Sequence, residues 1–331
     1  MANQKTREIK KVLVIQLSAL SAFVMSLAAM KRIREAHPKA KITLLTTPPF
    51  EGIAKSSPYF NEVETDGRPE GLGDWAALRS RLRAAHYDRV YDLETSSRSN
   101  SIFRMLQPFP PEWSGIAGGA SFRQKRRGRE QMHILERQAD QLRIAGIWDD
   151  APTEPGTAPP PDLSWILRKA PPPRPVAGGV TPRPFVLMVP GGSARHKEKR
   201  WPIEYFTELA AILRGQGFDT VVIGGPEESG LARAIQHKSQ ARDLTGRTDF
   251  FQIAILAARA ALAVGNDTGP LSLIAAAGAP TLALFSKDSD PLSRGPRGHV
   301  TVMRADNLKD LPVAEVARAC RHLMPADTGQ T

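Results

Sequence analysis

The segment 265–270, Gly-Asn-Asp-Thr-Gly-Pro, combines residue types that can hold a phosphorylated ligand. Glycine lets the backbone turn tightly, Thr268 offers a hydroxyl, and the N-terminus of the following helix offers unpaired N–H groups to an anion. Asp267 would repel a bare phosphate, so its expected partner is a sugar hydroxyl, a metal or the neighbouring turn. An ordinary helix start, with Asp267 or Thr268 as N-cap and Pro270 in the first turn, fits equally well. The candidate ligand-binding residues here are Asn266, Asp267, Thr268 and Gly269.

Two further glycine turns each follow an apolar run. The first, Pro190-Gly191-Gly192-Ser193, precedes a basic segment whose Lys199 and Arg200 could neutralise a diphosphate, and whose Trp201 could pack beside a base or anchor a helix. The second, Gly224-Gly225-Pro226-Glu227-Glu228, adds a carboxylate for ligand hydroxyls. A solvated basic loop and the usual preference for glutamate in a first helical turn explain each turn taken singly. Three such turns at one edge of one sheet favour a nucleotide. The candidates of these two turns are Gly191, Gly192, Ser193, Lys199, Arg200, Gly225 and Glu227.

The N-terminal half carries a dense basic loop over Arg123–Arg129. Facing a ligand cleft, such a loop could hold a phosphorylated or carboxylated acceptor, and facing outward it could hold anionic lipid. A mobile exposed loop without a specific partner is the remaining alternative. The candidate acceptor-binding residues of this half are Ser18, Ser21, Glu94, Arg98, Arg123 and Arg126.

Metal and cofactor motifs are missing from the sequence. The seven histidines are scattered, no H-x-x-x-H or C-x-x-C pair occurs, and the single cysteine, Cys320, has no nucleophile context. The phosphate loop G-x-x-x-x-G-K-[ST] and the dinucleotide motif G-x-G-x-x-G are absent as well. We therefore expect neither a metal nor a cofactor, and a kinase, a GTPase or an NAD-dependent dehydrogenase is disfavoured.

The elements that position these residues repeat a strand–turn–helix pattern. Lys11–Gln16 and Phe185–Val189 are apolar runs without alternation, typical of strands buried on both faces of a parallel sheet. Each run opens a series with the spacing of βαβ units. Further predicted strands are Lys41–Thr46, Arg89–Leu93, Thr220–Ile223, Ala261–Val264 and Thr281–Phe285; predicted helices include Ala22–Glu35, Ile203–Gln216, Phe251–Ala260, Leu271–Ala277 and Val313–Leu323.

The predicted fold class is α/β, with two doubly wound, Rossmann-like domains. Prolines crowd residues 151–184, which favours an extended connector. We expect an N-terminal domain over 1–150, a linker over 151–184 and a C-terminal domain over 185–331. The last helix is a candidate to pack back on the N-terminal domain.

Composition and charge narrow the class of partner. Hydrophobic residues make up 41% and charged residues 24% of the 331 residues, close to the averages for soluble globular proteins. One cysteine fits a reducing compartment, and no stretch approaches the ~20 apolar residues of a membrane-spanning helix. The net charge of +11 favours acidic lipid or a phosphorylated substrate, although a solvated basic surface gives the same total. No nucleic-acid motif accompanies it. We expect a cytoplasmic protein, in solution or at a membrane surface, with no nucleic-acid partner.

Four segments resemble glycosyltransferase family nine, the ADP-heptose:lipopolysaccharide heptosyltransferases. They are VLVIQLSALSAFVMSLAAMKRIREAHP, VPGGSARHKEKRWPIEYFTELA, VVIGGPEE and LTGRTDFFQIAILAARAALAVGNDTGPLSLIAAAGAPTLALF. The resemblance runs from about Lys11 to Pro296. It implies a GT-B architecture, in which an acceptor domain and a donor domain face a central cleft. It also implies inverting, metal-independent transfer of heptose from ADP-heptose to the lipopolysaccharide inner core, with Lys199 and the Asp267–Gly269 turn at donor-binding positions.

Two positions depart from the family's pattern. Where the family has Leu-Gly-Asp, with the aspartate as general base, this chain has Leu20-Ser21-Ala22. Alanine cannot accept a proton, and loss of a positioned base costs roughly a hundred- to ten-thousand-fold in rate. Where the family has Met-His after the 265–270 segment, this chain has Leu271-Ser272. The catalytic positions implied by the resemblance are Ala22, a vacant base position, with Lys199 and Asp267.

Three explanations of these departures remain open. The chain is a degenerate homologue that binds a nucleotide sugar and acts as a binding or regulatory protein; or it is active, with Glu94 or Asp92 supplying the base; or it is an altered form of an active enzyme. A nucleotide-sugar epimerase of similar layout fits less well, because no dinucleotide motif opens either sheet. The implied partners are a nucleotide sugar and an anionic lipid A–core acceptor, with peripheral contact at the inner face of the cytoplasmic membrane.

Overall fold

The chain forms two units. The computed structural model describes residues 8–169, 183–192 and 200–324. Contacts group residues 1–19 with 26–158 in the first unit, and residues 20–25 with 159–331 in the second. The division after Ala158 falls within the proline-rich segment 151–184, which also contains helix α6 (Ser164–Lys169).

The first unit is built on a parallel sheet of six strands in the order β3-β2-β1-β4-β5-β6. Its strands are β1 (Lys11–Ile15), β2 (Lys41–Leu45), β3 (Glu62–Glu64), β4 (Arg89–Asp92), β5 (Glu112–Gly115) and β6 (Phe122–Arg123). Its helices are α1 (Leu20–Ala36), of which residues 20–25 group with the second unit, α2 (Glu51–Ser56), α3 (Leu72–Ala85), α4 (Ser97–Met105) and α5 (Ile134–Ile144). Strand β1 pairs with β2 on one side and β4 on the other. This order reverses between β1 and β4, which is where doubly wound sheets bind ligands, beyond the carboxyl ends of the strands.

Apolar side chains of the central strands form the core of the first unit. Leu13 and Ile15 of β1 pack with Leu82 of α3 and with Phe103 of α4. Trp113 of β5 is fully buried and meets the Phe103 ring edge-on, with ring centroids 5.1 Å apart. Burial of their apolar faces thus holds α3 and α4 to the sheet.

The second unit repeats the same topology. Its parallel sheet runs β12-β11-β10-β7-β8-β9, so the reversal lies between β7 and β10. The strands are β7 (Phe185–Val189), β8 (Asp219–Val222), β9 (Arg242–Asp243), β10 (Leu262–Asn266), β11 (Thr281–Phe285) and β12 (Val300–Arg304). The helices after α6 are α7 (Ile203–Gly215), α8 (Ser229–Ser239), α9 (Phe250–Ala257), α10 (Gly269–Ala276), α11 (Pro291–Arg294) and α12 (Val313–Leu323). The predicted α/β class with doubly wound parallel sheets is confirmed.

Helices α7 and α12 close one core of the second unit. Met188 of β7 and Val264 of β10 pack there with Phe206 of α7 and Val316 of α12. Cys320 lies in the same core and is fully buried, and burial raises the pKa of its thiol to about 12. The lone cysteine is therefore a packing residue.

Most predicted elements keep their positions, and one shift matters for function. The strand predicted over Ala261–Val264 continues to Asn266 as β10, so Gly265 lies inside a buried strand. A side chain at Gly265 would meet the Val189 carbonyl oxygen at 2.7 Å. Gly265 is required because β10 lies close to β7, and the turn predicted to bind a ligand starts only after Asn266.

No helix in the described ranges is long and apolar enough to cross a membrane.

Candidate functional site

A cavity of about 850 Å³ lies at the carboxyl ends of β7, β8 and β10 in the second unit. It therefore occupies the reversal point of that sheet, and its volume falls in the range of small-molecule sites. Among the sequence candidates it is lined by Gly192, Arg200, Gly225, Glu227, Asp267, Thr268 and Gly269. Ser193 and Lys199 lie outside the described residues.

Helix α10 begins at the cavity wall. Thr268 is its N-cap, and the Thr268 hydroxyl oxygen accepts a hydrogen bond from the Leu271 N–H at 3.4 Å. Pro270 follows in the first turn. The 265–270 segment therefore starts a helix, and that start lines a cavity; binding of a phosphorylated ligand there stays a prediction. The unpaired N–H groups of a first helical turn, together with the helix dipole, attract an anion to this wall.

Asn266 joins two of the glycine turns. Its side-chain amide donates to the carbonyl oxygens of Pro190 and Gly191 at 2.9 and 3.1 Å, and its Oδ1 accepts from the Trp201 N–H at 2.9 Å. The residue is only 1% exposed. Its amide thus fixes the turn after β7 against the end of β10, and Gly191 is buried beside it.

Glu228 links the same turn to the turn after β8. Its Oε1 accepts from the Gly192 N–H at 2.8 Å, and its Oε2 accepts from the Gly225 N–H at 2.9 Å. A side chain on Gly191 would collide with the Glu228 carboxylate. Two backbone donors that could have bound a phosphate are therefore occupied by a carboxylate of the protein itself.

Among the described residues, Arg200 is the cationic side chain that lines the cavity. One guanidinium nitrogen, Nη2, donates to the Gly192 carbonyl oxygen at 2.5 Å, while the buried Nε has no hydrogen-bond partner within the described residues. The next residue, Trp201, lies in the core and is only 1% exposed. Its Nε1 donates to the Leu311 carbonyl at 2.9 Å, and its ring packs on Phe206. Trp201 therefore anchors α7 and leaves Arg200 at the cavity.

An apolar wall faces these polar groups. Leu231 of α8 and Phe250 and Ile253 of α9 line the cavity. Asp249 sets the start of α9, because its Oδ1 accepts from the Gln252 N–H at 2.8 Å while Gln252 Oε1 accepts from the Asp249 N–H at 2.9 Å. The cavity thus offers an apolar side suited to a base, and a polar side suited to hydroxyls and an anion.

A second cluster lies at the reversal point of the first sheet. Glu94 follows β4, and its Oε2 accepts from the Leu17 N–H at 2.9 Å and from the Ser18 hydroxyl at 2.7 Å. The structure thereby brings together two predicted acceptor-binding residues, Ser18 and Glu94.

The backbone beside Glu94 is held in an unusual conformation. Thr95 has a φ of 47°, in the left-handed region that β-branched residues rarely adopt. Its N–H donates to Asp92 Oδ1 at 2.9 Å, and its hydroxyl oxygen accepts from Arg129 Nη2 at 2.5 Å. Asp92 is fully buried, and that burial raises the pKa of its carboxyl to about 7.

Part of the predicted basic loop is held by contacts within the first unit. Arg129 is only 7% exposed and donates from Nε to Gln124 Oε1 at 2.6 Å. Arg123 and Arg126 line a cavity of about 390 Å³ in the first unit; Arg123 donates to the Ile116 carbonyl at 3.2 Å, and Arg126 lies 3.7 Å from Asp140. Arg98 is exposed in the first turn of α4.

The two departures from the family pattern lie in first turns of helices. Ala22 is half-buried near the start of α1. Its neighbour Ser21 has its hydroxyl oxygen 2.9 Å from that of Ser272 in α10, and both residues belong to the second unit. Ser272 also donates to the Thr268 carbonyl at 3.2 Å. Ser21 is therefore placed beside the start of α10.

No group of three or more histidine, cysteine, aspartate or glutamate side chains is arranged for a metal ion in the part of the chain that the structure describes. Independence from metals and cofactors stays a prediction.

Comparison with known proteins decides the family. The model of glycosyltransferase family 9 (heptosyltransferase) matches residues 75–319. The chain belongs to glycosyltransferase family 9. Both the predicted membership and the predicted enzyme class, glycosyltransferase, are thereby confirmed.

Named relatives of this family 9 chain are lipopolysaccharide enzymes. It is 27% identical to lipopolysaccharide heptosyltransferase 2 of Escherichia coli K12 over 305 residues, which cover 84% of this chain and 83% of the relative. Its fold is similar to the solved structure of E. coli ADP-heptose lipopolysaccharide heptosyltransferase II, with a TM-score of 0.75, 22% identity and coverage of 95% and 98%. It is also similar to E. coli heptosyltransferase WaaC with ADP, with a TM-score of 0.73, 19% identity and coverage of 94% and 99%. These likenesses support the GT-B fold.

Several functional candidates were missed by sequence reasoning. Glu228, which binds two backbone N–H groups, directly follows the predicted candidate Glu227. Nothing in the sequence distinguishes the roles of these two consecutive glutamates. Phe250 and Ile253 could have been found from the capping pair Asp249 and Gln252, which fixes the face of α9. Thr95 gave no signal.

Proposed function

We propose that this family 9 chain transfers a heptose from ADP-heptose to an inner-core acceptor of lipopolysaccharide, with inversion. The observation that carries the proposal is the 850 Å³ cavity, which combines an apolar wall with the N-terminus of α10 at the reversal point of the second sheet. The family match and the printed names of the relatives, heptosyltransferases of lipopolysaccharide, support the choice of sugar and acceptor.

Each part of the donor has a matching part of the cavity. The adenine would pack against Leu231, Phe250 and Ile253. Glu227, exposed at the cavity edge, would accept hydrogen bonds from ribose hydroxyls. The diphosphate would bind the first turn of α10 and the Thr268 hydroxyl, because helix N-termini favour anions.

The reaction then needs little from the donor site beyond binding. An acceptor hydroxyl attacks the anomeric carbon, a new C–O bond forms, and the bond from that carbon to the diphosphate oxygen breaks. The charge left on ADP would be stabilised by α10 and Arg200, and by Lys199, which lies outside the described residues. Asp267, in the cavity wall, would bind a heptose hydroxyl.

A second candidate function rests on Ala22. A methyl group stands where the family's general base is expected, so the chain could bind nucleotide sugar without turning it over and act as a binding or regulatory protein. This alternative shares the donor site with the first proposal and differs only in catalysis.

The acceptor would be bound by the first unit, at the cytoplasmic face of the membrane. The basic cavity lined by Arg123 and Arg126 suits phosphate or carboxylate groups of a lipid A–core acceptor.

A membrane contact is supported by a second feature of this unit. Phe109 is 89% exposed between prolines. Arg79 of α3 donates to the Met105 carbonyl at 2.8 Å, and Arg83 of α3 donates to the Gln107 carbonyl at 2.6 Å. These contacts bring both arginines to the segment that follows Arg104 in the chain. An exposed aromatic ring with several arginines fits an anionic lipid surface.

Calorimetric titration followed by a turnover assay tests the proposal. We expect the purified chain to bind ADP and ADP-heptose more tightly than UDP. Release of ADP from ADP-heptose is then measured for the unsubstituted chain and for Ala22→Asp. Turnover by the unsubstituted chain excludes the binding-only alternative, and binding with turnover only in Ala22→Asp establishes it. Absence of affinity for any nucleotide would refute both.

A further inference from the structure

The carboxyl ends of β1 and β4 meet at the reversal point of the first sheet, the place where such a sheet binds its ligand. Ser18 follows β1 there, and Glu94 follows β4. Ala22 comes four residues after Ser18 in the chain, so the position that has lost its carboxylate follows the same turn.

The Glu94 carboxylate is fixed by one oxygen and leaves the other available. Oε2 accepts both hydrogen bonds, from the Leu17 N–H at 2.9 Å and from the Ser18 hydroxyl at 2.7 Å. For Oε1 the structure gives no hydrogen-bond partner among the described residues. The side chain is half-buried, so it is oriented by the protein and still reachable by a ligand hydroxyl.

The backbone that carries Glu94 is held just as firmly. The N–H groups of Leu93 and Glu94 both donate to the Ile15 carbonyl, at 3.0 and 3.1 Å. Thr95, next in the chain, keeps its left-handed conformation through Asp92 and the buried Arg129. Strain of this kind persists where surrounding groups over-determine it, and it concentrates at functional sites.

Asp92, the other carboxylate at this edge, is placed differently. It is fully buried and its Oδ1 already accepts from the Thr95 N–H. A base must come within hydrogen-bond reach of the proton it takes, and a carboxylate without exposure cannot meet an acceptor. Asp92 is therefore a positioning residue for the Thr95 turn.

We propose that Glu94 is the general base of this chain, which has alanine at position 22. This inference rests on the proposed glycosyl transfer. Glu94 Oε1 accepts the proton of the acceptor hydroxyl while that oxygen forms its bond to the anomeric carbon and the bond to the diphosphate oxygen breaks. The products are the glycoside, ADP and a protonated Glu94, which returns its proton to solvent.

The test compares Glu94→Gln with Glu62→Gln. Glutamine retains an oxygen to accept from Leu17 and Ser18 but cannot take a proton, so the site geometry is kept. Glu62 is half-exposed, pairs with Lys41 at 2.6 Å and serves as the matched control in the same unit. ADP affinity is measured by calorimetry, and kcat by ADP release from ADP-heptose with a lipopolysaccharide core acceptor isolated from a heptose-deficient strain.

We expect Glu94→Gln to lower kcat by roughly a hundred- to ten-thousand-fold with unchanged ADP affinity, and Glu62→Gln to match the unsubstituted chain. Adding Ala22→Asp to Glu94→Gln should restore the rate, because it returns a carboxylate to the position where the family has its base. Unchanged kcat in Glu94→Gln would overturn the inference. A chain that binds ADP-heptose but releases no ADP would also overturn it and leave the donor site standing. Failure to bind ADP would remove the proposed function itself.

Discussion

Glu228 Oε1 accepts a hydrogen bond from the backbone N–H of Gly192 at 2.8 Å. A carboxylate thus occupies part of a cavity whose glycine turns suggest phosphate binding. Because its second oxygen binds the Gly225 N–H, Glu228 joins two turns from neighbouring strands. Glu227, one residue earlier, is exposed at the cavity edge.

The adjacent glutamates should therefore give opposite phenotypes. Glu228→Ala leaves two backbone donors without their partner, and we expect it to lower the free energy of unfolding by about 1–3 kcal/mol in urea titrations. Glu227→Ala should leave unfolding unchanged and weaken binding of ADP. Equal stability of the two variants would contradict the role given to Glu228.

Substitution of Arg200 should weaken the binding of the phosphates of ADP and leave the binding of its base unchanged. We expect Arg200→Ala to weaken ADP by about tenfold, the loss of one charge-assisted contact, and to leave adenosine unaffected. Titration calorimetry with both ligands measures this. Arg233→Ala, an exposed arginine of α8, is the control. Parallel losses for ADP and adenosine would show that Arg200 only shapes the turn through the Gly192 carbonyl.

Asp92 should make the stability of the first unit depend on pH. Burial raises the pKa of its carboxyl from the ordinary 3.8 to about 7, so the folded chain retains a proton that the unfolded chain releases. Between these values the free energy of unfolding therefore falls as pH rises. Asp92→Asn keeps an oxygen for the Thr95 N–H and removes the charge.

Denaturant titrations across this pH window measure the effect. We expect the unsubstituted chain to lose stability relative to Asp92→Asn as pH rises towards neutrality. His37, whose pKa is lowered to about 4 mainly by burial, titrates in both proteins, so the difference between them isolates Asp92. A difference that does not vary with pH would exclude a buried titrating carboxyl.

Phe109 and its arginines should control membrane binding. Co-sedimentation with vesicles containing phosphatidylglycerol should fall in Phe109→Ala and in Arg79→Ala/Arg83→Ala, because each arginine near an anionic surface contributes about 1 kcal/mol. Leu292→Ala removes another exposed apolar side chain, 78% exposed in the second unit, and should bind like the unsubstituted chain. Equal binding to neutral phosphatidylcholine vesicles would argue against this surface.

The parts of the fold that are visible in the sequence are those encoded locally. Phe185–Val189, Thr281–Phe285 and Val313–Leu323 have the predicted ends, because an apolar run or face stops at a polar or proline residue. The two-residue strands β6 and β9 are too short for any pattern. They exist because a neighbouring strand offers free backbone groups.

The candidate site also has a part that can be predicted from local sequence and a part that cannot. The glycine turns could be predicted, because a glycine often marks a place where another group comes close to the backbone. The burial of Arg129 and the left-handed Thr95 depend on contacts between segments distant in the chain, which no local pattern encodes. The clustering of Ser18 with Glu94 depends on β1 and β4 being neighbours.

That neighbour relation also has a kinetic consequence. Val12 of β1 pairs with Arg89 of β4, 77 positions later, and Val186 of β7 pairs with Leu262 of β10, 76 positions later. Loop closure must precede these contacts, which slows folding. During synthesis the apolar strands β1 and β7 emerge first and wait for their partners. The candidate site of each sheet therefore forms only after its fourth strand, β4 or β10, has been synthesised, and the stage before that is where a chaperone would be needed.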